Sequence, residues 1–150
     1  MKVRFKYGIR TYSGTADDMT YCSYRKGTVC IGRKHTSPRI TAQNTSMGVI
    51  MKNLAKVYSE CSAGYKAELK TYASKYEALV PKNKVAPGAY PIFVKMMFLF
   101  AELDAEHIDL ATITHSDLLT VGTDIQSVAD AVANSYLPNV SGADELTTNM

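Results

Sequence analysis

Three histidines, three cysteines and a cluster of carboxylates are the residues of this chain whose chemistry could make a site. A zinc or di-metal centre needs ligands at helical or turn spacing, as in H-x-x-x-H, so that neighbouring turns reach one ion. His35, His107 and His115 have no such spacing. Glu102, Asp104, Glu106 and Asp109 fall close together, and paired carboxylates can serve as general acid and base. Coming straight after an apolar run, they read instead as the solvated end of a helix and its loop, the commoner fate of an exposed charge run. No Ser, Thr or Cys lies in a nucleophile motif, and Gly8, Gly14, Gly27 and Gly32 do not compose a phosphate-binding loop. The expectation is therefore a protein that is not an enzyme, with no catalytic residue, metal, cofactor or small-molecule substrate assigned.

Cys22, Cys30 and Cys61 are odd in number and form no C-x-x-C pair, and Met1 to Phe5 carry no apolar signal region. Synthesis in a reducing cytoplasm is expected, with later incorporation into a particle. A Cys22–Cys30 cross-strand disulfide is allowed, although free buried thiols are the commoner state.

Charge is the stronger signal. Residues 1–39 hold nine Lys/Arg against Asp17 and Asp18, a net +7, and residues 40–95 hold eight Lys against three Glu, a net +5. Residues 96–150 contain no Lys or Arg and nine Asp/Glu, a net −9. Such asymmetry argues for partners. Arg4, Lys6, Arg10, Arg25, Lys26, Arg33, Lys34 and Arg39 are the candidate interaction residues of a basic face. Tyr7, Tyr12, Tyr21 and Tyr24 stand among them, available for stacking or for an interface. The plainer alternative is that these cations are only the solvated side of an antiparallel sheet.

The elements that must position these residues follow from periodicity. Val3, Phe5, Tyr7 and Ile9 alternate with Lys2, Arg4, Lys6 and Arg10, the period-two signature of a strand. Gly14 to Asp18 reads as a polar loop, and strands from Met19 to Tyr24 and Thr28 to His35 flank a hairpin at Arg25-Lys26-Gly27. With a three-residue loop, Tyr24 pairs with Thr28, Cys22 faces Cys30, and Tyr21 faces Ile31.

Beyond residue 39 the spacing becomes helical. Met47, Ile50, Met51, Leu54 and Tyr58 predict a helix from about Thr45 to Glu60, with Asn44 to Ser46 as caps. Ser62-Ala63-Gly64 breaks it, and Tyr65, Leu69, Tyr72, Tyr76 and Leu79 make the seam of a second helix, so that residues 45–80 read as an antiparallel helical hairpin. Pro91 suits the first turn of a third helix, whose residues from Ile92 to Phe100 are apolar nearly all round. That run is shorter than the roughly 20 residues of a bilayer span, so a buried central helix is expected, and no membrane partner. Thr114 to Asp117 and Thr123 to Gln126 read as capping boxes, Pro138 as a stop, and residues 139–150 as a flexible tail.

The fold expected is α+β: a small N-terminal antiparallel β-sheet or hairpin followed by a bundle of about four to five helices, in a single domain spanning residues 1–150. Its parts are a basic β unit (1–39), the helical hairpin, and an apolar helix with capped helices (88–138). The expected function is that of a structural or assembly protein, a small subunit or accessory protein of a phage-like particle or filament. Its basic sheet and acidic C-terminal region would serve self-association or contact with other structural proteins. The alternative is nucleic-acid binding by the basic, tyrosine-bearing β unit.

Overall fold

The computed structural model describes residues 2–3, 11–24, 27, 29–34, 39–103 and 108–150. The fold is α+β, a four-stranded antiparallel sheet followed by five α-helices. Its contacts divide the chain into two compact units. Residues 1–39 and 80–86 form a sheet unit; residues 40–79 and 87–150 form a helical unit.

In the sheet unit the strands β1 (Lys2–Val3), β2 (Gly14–Ala16), β3 (Met19–Tyr24) and β4 (Val29–Lys34) lie in the order β1-β4-β3-β2. The polar loop expected at Gly14 to Asp18 is partly strand: β2 pairs with β3 around Asp17 and Asp18, Ala16 opposite Met19. Asp17 takes φ of +53°, which its short polar side chain tolerates. At the second hairpin Gly27 has φ of +84° and donates its N–H to Tyr24 O at 3.1 Å, the left-handed position expected of it.

The register there differs by one residue from the expected one. Tyr24 pairs with Val29, Cys22 with Ile31, Ser23 with Cys30 and Tyr21 with Gly32. A one-residue slip sends every side chain of a strand to the other face, so Cys22 and Cys30 point to opposite sides, and both are free thiols. The reason is packing at Gly32. A Cβ there would lie 3.0 Å from the Tyr21 ring and 3.0 Å from Val3, so the bare glycine lets the tyrosine cover the strand.

The helical unit is built on α3 (Ala89–Leu103), with Pro91 in its first turn as expected. Ile92, Phe93, Met96, Met97 and Phe100 are buried, and each such side chain contributes about 1.5–3 kcal/mol when removed from water. Helices α1 (Ala42–Glu60) and α2 (Ala63–Tyr76) both pack on α3. Tyr58 of α1 meets Tyr90 and Phe93 at ring distances of 5.3 and 5.2 Å, and Tyr65 of α2 donates its hydroxyl to Met96 Sδ at 3.8 Å. The two helices thus turn their apolar seams onto α3 more than onto each other. Thr41 caps α1, accepting from Asn44 N, so the helix starts three residues earlier than its spacing suggests.

Thr114 and Asp117 form the expected capping box of α4 (His115–Val121), which stops at Gly122, where a Cβ would meet Leu118 O at 2.7 Å. The next box lies elsewhere than expected. Thr123–Ile125 is one 3-10 turn, and Ser127 with Asp130 caps α5 (Val128–Ala133). Both Thr123-x-x-Gln126 and Ser127-x-x-Asp130 fit a capping pattern, and burial decides between them, since Ser127 is buried and its hydroxyl must find a partner. Helix α5 ends at Asn134, before the proline, because Ser135 takes φ of +66°.

Residues 139–150, expected as a flexible tail, are packed as an irregular strap. Val140, Ala143, Leu146 and Met150 are buried. Backbone bonds tie Ala129 N to Leu146 O at 2.9 Å and Met150 N to Gln126 O at 3.0 Å. From α2, Tyr72 donates to Pro138 O at 2.6 Å, Lys75 to Gly142 O at 3.1 Å, and Glu68 accepts from Thr148. The spacing of three and four among its apolar residues has no regular element to announce it.

Ser127→Ala should cost about 1 kcal/mol in urea unfolding while Thr123→Ala stays within about 0.5 kcal/mol. Leu146→Ala should cost about 2–4 kcal/mol by the same measurement, as for a packed leucine; a loose tail would give a value near zero.

Candidate interaction surfaces

Of the basic-face residues, Arg33, Lys34 and Arg39 are described and all three are exposed. Arg4, Lys6, Arg10, Arg25 and Lys26 lie outside the described residues, as do Tyr7, His35, Asp104, Glu106 and His107. Arg33 and Lys34 are neighbours on β4, so strand alternation puts them on opposite faces. Arg33 shares its face with Lys2, Thr20, Cys22 and Tyr24; Lys34 shares the other with Met19 and Tyr21. Lys34 also pairs with Asp18 at 3.1 Å, a surface pair worth about 0–1 kcal/mol. Tyr21 is held edge-on by Tyr12 at a ring distance of 5.7 Å. Lys34 and Tyr21 therefore have local roles, and the described cations form two faces rather than one.

The compact units also differ in the sign of their net charge. The sheet unit has eleven Lys/Arg against two Asp, a net +9; the helical unit has six Lys against twelve Asp/Glu, a net −6. Lys82 and Lys84, remote from the basic strands in sequence, join the positive unit.

Two open grooves on the helical unit flank the loop of residues 108–113. Asn53 of α1 fixes this loop, donating through Nδ2 to Leu110 O at 3.1 Å and Ile113 O at 2.8 Å. Val49, Lys52, Asn53, Lys56 and Ala111 line one groove, of about 240 Å³. The other, of about 290 Å³, is lined by Ile108, Asp109, Thr112, Ile113, Asp117 and Val121. Asp109 accepts from Ala111 N at 2.9 Å and Thr112 Oγ1 at 3.0 Å. Hydrogen bonds from the Thr114 hydroxyl and N–H hold the Asp117 carboxyl below the usual aspartate range, so it is an anion at neutral pH.

In the sequence Asp109 reads as part of a solvated acidic run and Asp117 as a cap, so neither stands out as a surface residue. The available signal was Val49, Lys52 and Lys56 at offsets of three and four, one helix face carrying an exposed aliphatic between cations.

An apolar recess of about 50 Å³ lies among Tyr72, Tyr76, Ile92 and three prolines, well below the roughly 300–1,000 Å³ of small-molecule sites. Among the described residues no group of three or more His, Cys, Asp or Glu side chains could hold a metal ion. No described helix is long and apolar enough to cross a membrane. Compared with protein-family models, curated proteins and solved structures, the chain matches none.

The thiols differ sharply in setting. Cys22 is exposed; Cys30 is buried, its thiol on Tyr12 O at 3.5 Å; burial pushes the Cys61 thiol up to about 11. Iodoacetamide at pH 8 should modify Cys22 in the native protein and leave Cys30 and Cys61 until denaturant is added, as read by peptide mass spectrometry. Equal labelling of Cys22 and Cys30 would contradict the register.

Proposed function

We propose that this protein is a non-enzymatic assembly subunit whose positive sheet unit engages an anionic protein surface in building a particle or filament. The observation that carries this reading is the opposite net charge of its two compact units, +9 and −6. Opposite patches on one chain give a contact that is heterologous between copies, and such a contact closes as a ring or continues as a filament. Complementary charge sets encounter rate and register more than affinity, so buried aromatic and aliphatic contacts would supply the remainder.

A second reading, nucleic-acid binding, draws on Lys2, Arg33 and the half-buried Tyr24 sharing one sheet face, since cations beside an aromatic ring suit phosphates and bases.

Light-scattering mass of the nucleic-acid-free protein at low and high salt separates them. Assembly predicts large species at low salt that salt reverses and that Arg33→Glu weakens. Nucleic-acid binding predicts mass gain only with added fragments, log K falling with log salt by roughly 0.9 per phosphate contacted. A monomer under every condition would contradict both.

A further inference from the structure

Each groove beside the 108–113 loop pairs an exposed valine with charge of one sign. Val49, 52% exposed, stands with Lys52 and Lys56; Val121, 54% exposed, stands with Asp109 and Asp117. Among the described residues neither lysine pairs with a carboxylate of its own chain. Each aspartate spends two acceptor positions on its own turn, and a carboxylate has about four, so capacity is left on the open side.

We infer that the helical unit forms a two-fold dimer of this chain, the Val49–Lys52–Lys56 face of each copy seated on the Asp109–Asp117–Val121 groove of the other. Charge complementarity names the occupant. A surface that carries a cationic groove and an anionic groove on either side of one loop matches itself after a half-turn about an axis through that loop. The contact is then isologous: each lysine face meets an aspartate groove twice, and the assembly closes at two copies. On each side of the axis Val49 of one copy meets Val121 of the other and excludes water from the charges beside them, which strengthens their attraction. No sheet residue takes part, so this dimer goes beyond the proposed function and stands apart from it.

The sharing of the loop is what makes the surface self-complementary. Ala111 faces the lysine side while Asp109 and Thr112 face the other, and Asn53 holds both relative to α1. The occupant is therefore met by a fixed edge, which lowers the ordering cost of association.

The test is sedimentation equilibrium of the full chain at moderate salt, using substitutions at exposed positions. Lys52→Glu with Lys56→Glu places glutamates against the partner's aspartates; Val121→Lys places a lysine against the partner's lysines, at a helix C-terminus where a cation is tolerated. Each change should weaken dimerisation by about tenfold or more, since every substitution acts twice in a two-fold contact. Combined, the new lysine lies beside the aspartates of its own groove and against the partner's new glutamates, so the two losses should be clearly less than additive and part of the affinity should return. Circular dichroism melting checks that all the variants fold. A parent chain that stays monomeric would overturn the inference, as would a dimer indifferent to both changes or a combination that only adds the two losses. Arg33→Glu should leave this dimer intact while altering growth beyond it, so that failure of either reading is seen separately.

Discussion

Nearly all of the helical unit depends on covering α3. A segment apolar on almost every side cannot rest against a single neighbour, because each exposed flank leaves large side chains in water. Helices α1 and α2 take two flanks, and the 108–113 loop and the 139–150 strap add further buried side chains to the same core. The strap shows the physical cost of that coverage. It has no regular ladder, so its backbone groups find partners one by one, on Ala129, Gln126, Glu68, Lys75 and Ser62. Burial of Tyr72 and its bond to Pro138 act together there, the hydroxyl being pushed up to about 12 by desolvation.

What was legible in the sequence was whatever a single element determines by itself. Strands β3 and β4, the left-handed Gly27, the apolar α3 and the Thr114 cap all follow from local pattern. What was not legible needed a distant partner. The hairpin register turns on Tyr21 covering Gly32, and three- and four-residue loops leave Gly27 equally satisfied. The cap of α5 turns on Ser127 being buried, a tertiary fact. The strap's apolar residues carry meaning only once α2 and α5 offer a surface. For the candidate site, the basic residues could be listed by charge, and strand alternation alone sends Arg33 and Lys34 to opposite faces, but the pairing of Lys34 with Asp18 needed the neighbouring hairpin. The grooves beside residues 108–113 were invisible for a similar reason: Asn53 reaches across more than fifty positions to hold that loop.

Opposite charge in separate compact units gives these observations a common direction. Among the described residues Arg33, Lys34 and Arg39 of the sheet unit and Asp109 and Asp117 of the helical unit lie at the open surface. Salt screens such charges within about 8 Å at physiological ionic strength, so contacts made this way respond to their surroundings. Apolar side chains among the charges then decide whether an encounter persists.

The most direct test of association through opposite charge is carbodiimide cross-linking of an equal mixture of unlabelled and isotope-labelled chains, read by mass spectrometry. The account predicts lysine-to-carboxylate links joining labelled to unlabelled chains at low salt and disappearing at high salt. Links confined within single chains, at every salt concentration, would contradict it.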